Sequence, residues 1–238
     1  MDSCIVGQFQ RLANISDKEI SLLRTLEENA ESYQPDVIIQ HEDQPSKHFY
    51  TIRKGWAYSS RILADGDRQI LDIFLPGHIM GLREIGFNKS TYRFVTLTQA
   101  EICPFPKARL TEIFNESPRL TDLFFLVIAR EQSILAERII NLGRRSAAQK
   151  LAHFVIETKV RLGNTIDEFD LMLSQELLGD TLGLSSVHIS RTFKFLRDRG
   201  LIERDGNRVK IVDLEALMEF ADFNPCYLEQ DVQWARQG

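Results

Sequence analysis

The stretch SQELLGDTLGLSSVHISRTFKFLRDRGLI, residues 174–202, decides the fold of the C-terminal part of this chain. Its apolar residues recur at helical spacing in two short runs, which Gly183 separates. Glycine adopts the left-handed conformation cheaply at a helix C-terminus, and Ser185 is a good N-cap for a following helix. The pattern therefore predicts two short helices joined by a tight turn. The residues expected to face the interior are Leu177, Leu178, Thr181, Leu182, Ile189, Thr192, Phe193 and Leu196.

The second of these helices carries polar side chains that a buried helix would not use. Its outer and N-terminal positions hold Ser186, Val187, His188, Ser190, Arg191 and Lys194. The second helix of a helix-turn-helix fits the DNA major groove, where the residues near its N-terminus reach base edges. We expect Arg191 to bind a guanine through O6 and N7, and Val187 to touch a thymine methyl group. His188 is expected to contact a phosphate or a base.

The segment LIERDGNRVKIVD, residues 201–213, predicts a two-stranded wing, because Asp205-Gly206 separates two apolar runs. Within residues 188–210, seven Lys and Arg outnumber three Asp and Glu, although the chain as a whole has a formal net charge of -5. A local basic surface on an acidic protein favours nucleic acid as a partner. The predicted DNA-contacting residues are Ser174, Gln175, Ser185, Ser186, Val187, His188, Arg191, Lys194, Asn207, Arg208 and Lys210.

The sequence upstream predicts an α+β protein. Residues 1–30 look helical, with Ser16 and Glu19 as a capping box. Residues 36–106 alternate short apolar runs with Asp-Gly and Pro-Gly turns, which indicates a small, jelly-roll-like β-roll. We expect a β-roll sensor domain over residues 1–117, a dimerisation helix over 118–143, and a winged helix-turn-helix domain with a C-terminal tail over 144–238.

Residues 119–143 hold no proline, and no glycine before Gly143, so they predict one long helix of roughly 37 Å. Apolar residues and one glutamine recur along it at spacings of three and four, which is a heptad seam. The seam consists of Phe125, Ile128, Gln132, Leu135, Ile139 and Leu142. It predicts a coiled-coil homodimer. The alternative is that the helix packs only on its own roll.

The segment that follows Gly143, residues 144–161, predicts another amphipathic helix with a local excess of four positive charges. The residues expected on its buried face are Ala148, Leu151, Ala152, Val155 and Ile156. Its basic side chains are open to two interpretations, a solvated face or a functional basic surface.

These segments, in this order, resemble the Crp/Fnr family of bacterial transcription regulators over nearly the whole chain. GWAYSSRILADGDRQILDIFLPGHIMG, residues 55–81, is similar to the family's cyclic-nucleotide-binding type of roll. LGLSSVHISRTFKFLRDRGLI, residues 182–202, is similar to its recognition unit. The resemblance implies a dimeric regulator that binds a palindromic site. Its implied partners are double-stranded DNA, a second copy of the chain and RNA polymerase.

The recognition helix departs from the family pattern. Well-known members present an Arg, a Glu and a later Arg to the bases, and the matching positions here are Ser186, Val187 and Arg191. Because only Arg191 keeps the family residue, the target DNA sequence is expected to differ from theirs.

The roll also departs from the members that bind cyclic AMP. Those members place a Glu after a cassette glycine and an Arg-Ser pair further on, and aligning Gly81 with that glycine puts Leu82, Tyr92 and Arg93 at these positions. Leucine cannot accept a ribose hydroxyl hydrogen bond, which argues against cyclic AMP. Arg93 or Arg83 could still pair with an anion after a small register shift. The candidate pocket for an effector of unknown identity consists of Gly81, Leu82, Arg83, Glu84, Tyr92, Arg93, Glu131 and Gln132.

Other effector chemistries have less support in the sequence. Iron–sulfur members of the family need clustered N-terminal cysteines, and only Cys4 lies there. His41, His48 and His78 could in principle ligate haem, but isolated histidines of this kind are more often ordinary residues. Cys103 is either a redox thiol or a buried, inert one, and its apolar surroundings favour the second. We expect no cofactor and no metal.

Several classes of protein are excluded by what the sequence lacks. It has no run of about 18 apolar residues and no signal-peptide pattern, so we expect no membrane association and a cytoplasmic location. It has no HExxH, GxSxG, GxGxxG or P-loop motif, so we expect no enzyme and no catalytic residue. A nucleotide-binding module without DNA recognition is the remaining alternative, and Arg191 and the wing argue against it. The tail is expected to dock on the winged domain through Tyr227 and Trp234.

Overall fold

The computed structural model describes residues 3–163 and 167–229. The contacts between residues divide the chain into two compact units. The first unit comprises the described residues up to Ile62 together with Leu71–Glu131. The second comprises Leu63–Ile70 together with Gln132–Glu229. The domain division predicted at residues 117 and 143 stays a prediction. None of the helices in the described ranges combines the length and apolar character that crossing a bilayer requires.

Short antiparallel strands form the β-roll, which confirms the predicted fold of the N-terminal part. In chain order they are β1 (Glu31–Tyr33), β2 (Ile38–Gln40), β3 (His48–Lys54), β4 (Ala57–Ile62), β5 (Arg68–Phe74), β6 (Ile79–Met80), β7 (Arg93–Thr96) and β8 (Ala100–Pro106). They build two four-stranded sheets, in the orders β1-β8-β3-β6 and β2-β7-β4-β5. Gly66, in the predicted Asp-Gly turn between β4 and β5, has a φ of 91°, which a residue with a side chain rarely adopts.

Helices cover one part of the roll. They are α1 (Cys4–Leu12), α2 (Asp17–Arg24), α3 (Lys107–Glu116) and the first half of α4 (Pro118–Arg144). Ser16 and Glu19 form the predicted capping box at the start of α2. Sequence reasoning missed α3, because Leu110 and Ile113 are its only buried residues and show little periodicity. The rings of Phe9 on α1 and Phe124 on α4 pack with their centroids 4.8 Å apart, so α1 and α4 share one core.

The long helix α4 runs one residue past the predicted end, through Gly143 to Arg144. Ser146 then starts the next helix, α5 (Ala147–Arg161), with a second capping box to Gln149. Arg145 and Ser146 therefore separate the two helices. The expected end of the helix at Gly143 is one residue too early.

Within the second unit, the described residues from α5 onward form a winged helix-turn-helix, as predicted. Besides α5 its elements are β9 (Glu168–Asp170), α6 (Gln175–Leu182), α7 (Ser186–Asp198), β10 (Ile202–Asp205), β11 (Arg208–Ile211) and α8 (Leu214–Ala221). The wing has three strands, in the order β10-β11-β9, so the two-stranded wing is corrected. In the third strand Phe169 pairs with Val209 of β11. A strand of three residues offers too little alternation for its recognition in the sequence.

Helix α5 buries a cluster of charged residues. Some of its basic side chains therefore do not lie on a solvated face. Lys159 and Arg161 are only 8% and 9% exposed. Glu157 Oε1 lies 3.1 Å from Arg138 Nη2 on α4 and 3.3 Å from Arg161 Nη1. Burial of such ions is favourable only when they are paired and hydrogen-bonded. The carboxylate of Glu157 thus links α4 to α5.

The described part of the tail docks on α5 through Tyr227, as expected. The Tyr227 hydroxyl donates a hydrogen bond to Glu157 Oε2 at 3.1 Å, and its ring stacks on His153 with centroids 6.1 Å apart. Burial, followed by the charge of Glu157, raises the pKa of the Tyr227 hydroxyl, which therefore stays a donor. Trp234 lies outside the described residues.

Candidate nucleic-acid interface

The turn between α6 and α7 depends on two glycines. Gly183 ends α6 with a φ of 62° and donates its N–H to the carbonyl oxygen of Gly179. The N–H of Leu184 bonds the same oxygen at 3.1 Å. A Cβ atom built on Gly179 would lie 2.3 Å from the Leu184 carbonyl oxygen, closer than real contacts. The backbone of the turn can therefore approach α6 only where α6 has no side chain.

Sequence reasoning identified Gly183 and missed Gly179. A Gly179→Ala variant is expected to lose about 1–3 kcal/mol of stability in the second unit, because the backbone must shift to admit the new methyl group. Urea unfolding followed by circular dichroism measures this loss. Gly143→Ala is the matched control, since a Cβ there meets nothing within 4 Å. It should leave stability unchanged or raise it by up to about 1 kcal/mol. Equal midpoints for the two variants would contradict the clash.

Helix α7 has a buried face and an exposed face. Ile189, Phe193 and Leu196 are at most 2% exposed, and Thr192 is buried with them, as predicted. The candidate contact residues on the other face are all exposed, namely Ser186, Val187, His188, Arg191 and Lys194. Val187, an apolar side chain, is 57% exposed. The helix therefore presents a row of uncovered side chains on a rigid base.

Two of the candidate contact residues also cap the helices. The Ser174 hydroxyl accepts the N–H of Leu177 at 3.2 Å and starts α6. The Ser185 hydroxyl accepts the N–H of His188 and lies 3.0 Å from His188 Nδ1. Helix N-termini hold unpaired N–H groups that suit phosphate, so these positions remain compatible with a DNA backbone contact. Gln175 is partly buried in the first turn of α6.

The predicted cations of the wing are exposed and ion-paired. Arg208 pairs with Glu168 of β9, and Lys210 Nζ lies 3.1 Å from Glu203. Exposed pairs of this kind are worth only about 0–1 kcal/mol, so a phosphate can replace the carboxylate partner at little cost. Asn207 is exposed at the tip of the wing. Sequence reasoning missed the role of Arg204, whose guanidinium lies 3.9 Å from the centroid of the Phe193 ring and so supports α7 from beneath.

A further support of α6 comes from the hairpin segment Leu63–Ile70 of the same unit. Arg68 Nε lies 2.6 Å from Asp180 Oδ2, and Arg68 Nη2 lies 3.1 Å from Glu176. The side-chain amide of Gln69 donates to the carbonyl oxygen of Asp180 at 2.7 Å. No local pattern in the sequence could have indicated this contact, because more than 100 residues separate its partners.

The predicted dimer seam lies uncovered along α4. Phe125 and Ile139 are 66% and 64% exposed, and Gln132 is exposed. Ile128, Leu135 and Leu142 are partly buried. Ile128 packs at the border of the core that contains Phe9 and Phe124. Phe125 and Ile139 are thus left largely uncovered by the described part of the chain.

The candidate effector residues of the roll line a small cavity in the first unit. Its volume is about 20 Å³, and its lining includes Ser59, Phe74, Ile79, Gly81, Leu82, Arg83, Glu84, Tyr92, Phe94 and Glu131. Gly81 has a φ of 94°, and this left-handed conformation turns the chain from β6 into the short 3-10 helix Leu82–Glu84. Of the predicted pocket residues, Arg93 is not part of the lining, and Gln132 is exposed on α4.

Comparison with known proteins gives the same two parts. The family model of the cyclic nucleotide-binding domain matches residues 30–117, and that of the Crp-like helix-turn-helix domain matches residues 149–220. The chain belongs to the Crp/Fnr family. Two relatives in the family are the transcriptional regulatory protein btr of Bordetella pertussis and the nitrogen fixation regulation protein FixK of Bradyrhizobium diazoefficiens. Btr is 26% identical over 94% of both chains, and FixK is 29% identical over 72% of this chain and 73% of its own.

A solved structure, that of FixK2 from Bradyrhizobium japonicum, has the same fold. It superposes with a TM-score of 0.74 at 24% identity, over 81% of this chain and 96% of that one. The solved structure shows the fold, and the two family models together with the curated relatives make the chain a Crp/Fnr transcription regulator with a cyclic nucleotide-binding-like roll and a helix-turn-helix.

The fold of the Crp/Fnr roll implies a cyclic nucleotide, and the residues present do not fit one. A cavity of about 20 Å³ accommodates a single water molecule, whereas ligand pockets measure roughly 300–1,000 Å³. Leu82, which is 2% exposed, offers no acceptor for a ribose hydroxyl. The Arg83 guanidinium lies 2.7 Å from Asp72 and 3.7 Å from Glu131, so its charge is already balanced by protein carboxylates. No role in DNA binding is therefore assigned to a cyclic nucleotide.

The cysteine and histidine candidates lie apart from this cavity. Cys103 is fully buried, and burial raises the pKa of its thiol to about 11, so the thiolate that redox chemistry needs is suppressed. His41 and His48 are exposed, and His78 is partly buried. None of the three is part of the cavity lining.

Proposed function

We propose that this protein is a sequence-specific DNA-binding regulator that acts as a homodimer on a two-fold symmetric site. Arg191 reads a guanine in the major groove, Val187 touches a thymine methyl group, and His188 contacts a base or a phosphate. Asn207, Arg208 and Lys210 of the wing hold the phosphate backbone, together with Lys194 and the helix N-termini at Ser174, Gln175, Ser185 and Ser186. RNA polymerase is the second macromolecular partner, and the cytoplasm, which contains both, is the place of action.

The observation that supports this proposal best is the exposed face of α7. Val187 and Arg191 are exposed on the protein surface, whereas Ile189 and Phe193, on the same helix, are almost completely buried. An exposed valine beside an exposed arginine, on a helix that its own core holds rigidly, is a surface suited to base edges.

The seam on α4 supports the dimeric form of the proposal. Phe125, Ile128, Gln132, Leu135, Ile139 and Leu142 follow heptad spacing and are exposed or half-buried in one protomer. A second α4 would cover them. Two recognition helices related by such a pair read half-sites about 34–36 Å apart, which is one turn of DNA.

The direct test is an Arg191→Ala variant in binding to genomic fragments that are sequenced after selection. Wild type is expected to enrich a palindrome without added cyclic nucleotide. Because the dimer carries two copies of the residue, Arg191→Ala should lose about 1–3 kcal/mol, or about 5- to 150-fold in affinity, at each half-site. It should also lose preference at one base pair in each half-site.

Arg197→Ala is the matched control for this test. Arg197 is an exposed arginine near the C-terminal end of α7, so its removal takes the same charge from the same helix. The control should weaken binding evenly across sequences and keep the base preference. Unchanged selectivity in Arg191→Ala would overturn the assignment of base readout, and absence of any enriched sequence for wild type would count against sequence-specific DNA binding.

A further inference from the structure

The chain segment that follows Gly81 holds an anion of its own. The Glu84 side chain is 1% exposed, and its carboxylate is surrounded by donors from the turn at residues 90–91. Glu84 Oε1 accepts the N–H of Thr91 at 2.6 Å and the Thr91 hydroxyl at 2.8 Å. The Ser90 hydroxyl lies 2.8 Å from Glu84 Oε2 and 2.7 Å from the Tyr92 carbonyl oxygen. Its single proton is therefore shared between these two acceptors.

This set of donors is one that binds oxyanions in proteins. A backbone N–H and hydroxyl groups, arranged around one buried point, are the groups that recognise phosphate or carboxylate. Lys107 brings a positive charge to the main chain of the same residue, since its Nζ donates to the backbone carbonyl oxygen of Glu84 at 2.7 Å. Glu84 itself lines the roll's cavity, so removing its side chain would leave these donors without the carboxylate that they bind.

We propose that Glu84 is a built-in anion, which fills a latent oxyanion site of the roll and holds the 81–93 segment closed without an external effector. The proposal goes beyond DNA binding, because it concerns how the roll is stabilised. It follows that phosphate esters and carboxylates compete with a tethered carboxylate that is already bound. A tethered group of this kind has lost little freedom on binding, so a free ligand cannot displace it at ordinary concentrations.

The remaining charges around the cavity support this inference. The lining contains one basic side chain, Arg83, and two acidic ones, Glu84 and Glu131. Its fourth ionisable side chain is Tyr92. Arg83 in turn contacts Asp72, which is 2% exposed. A phosphate brought into this cavity would face two carboxylates, those of Glu84 and Glu131, and one guanidinium whose charge Asp72 already balances. Like charges at short range in a poorly hydrated site repel strongly.

The test is chemical rescue of a Glu84→Ala variant. Wild type is expected to show no saturable shift of Tm with cyclic AMP, cyclic GMP, inorganic phosphate or acetate. Glu84→Ala should melt several degrees lower in chloride. Acetate or formate at the same ionic strength should recover part of that loss along a saturable curve, because the small carboxylate occupies the vacated donors.

Two controls distinguish rescue from general salt effects. Glu84→Gln fills the space without the charge, so it should melt lower than wild type and gain nothing from acetate. Glu116→Ala removes a 55% exposed carboxylate that pairs with Lys18 on the same unit, and its Tm should match wild type in both salts. If Glu84→Ala does not fold in chloride, the measurement becomes its recovery of folded protein on refolding in acetate. Glu84→Asp keeps a shorter carboxylate, and its Tm should lie between those of wild type and Glu84→Ala. A saturable response of wild type to cyclic AMP or phosphate would overturn the proposal, as would an acetate response of Glu84→Ala no larger than that of Glu116→Ala.

Discussion

Replacing Glu157 with alanine is expected to destabilise the second unit by about 3–5 kcal/mol. Its carboxylate is the shared contact of two buried guanidinium groups, those of Arg138 and Arg161, and of the Tyr227 hydroxyl. The side chains of Glu157, Arg138 and Arg161 are at most 5% exposed. Removing one partner from a buried ionic cluster costs this much because the remaining charges keep their desolvation penalty and lose a carboxylate that they share. Urea unfolding at neutral pH measures the loss as a lower midpoint.

The control for this prediction is Glu203→Ala. Glu203 also pairs with a cation, Lys210, at 3.1 Å, but it is 64% exposed. Removing it should cost about 0–1 kcal/mol, since water screens the pair and replaces the partner. Similar midpoints for the two variants would show that Glu157 contributes no more than a surface ion pair does.

A Phe125→Asp/Ile139→Asp double variant is expected to be monomeric and to lose tight binding to a full palindrome. Both side chains are about two-thirds exposed in the protomer, so the substitutions should leave its core intact. In a dimer they would remove four apolar side chains, each worth about 1.5–3 kcal/mol when buried. A loss of roughly 6 kcal/mol or more raises the dimer Kd by about ten-thousand-fold. Analytical ultracentrifugation over a wide range of concentrations is the measurement.

Ile140→Asp provides the matched comparison for the seam. Ile140 is next to Ile139 on α4 and is 47% exposed, but it lies off the heptad positions. It should remain dimeric at concentrations where the double variant sediments as a monomer. A double variant that stays dimeric would place the interface elsewhere, and a monomeric wild type would remove the dimer from the proposed function.

The features that sequence alone predicted correctly are those that neighbouring residues determine. The turn at Gly183, the cap at Ser185 and the inward spacing of Ile189 and Phe193 arise within a few residues, and the structure confirms them. The capping box at Ser16 is confirmed for the same reason. Helix periodicity and capping are short-range properties of the backbone, so they can be read along the chain. Even here β9 has too few residues for a pattern, and α3 has too few buried residues.

The tertiary structure alone decided which polar groups meet in the interior. The sequence marks Glu157 and Arg68 as ordinary charged residues, and it places Glu84 in a candidate pocket for an external effector. The fold makes Glu84 a ligand of its own chain, Glu157 a shared partner of two arginines, and Arg68 a clamp on α6. Gly179 likewise became necessary only when the Leu184 carbonyl oxygen was placed against it. The physical reason is that burial removes water, and the partner that replaces water for each polar group comes from wherever the folded chain brings one, often from a distant part of the sequence.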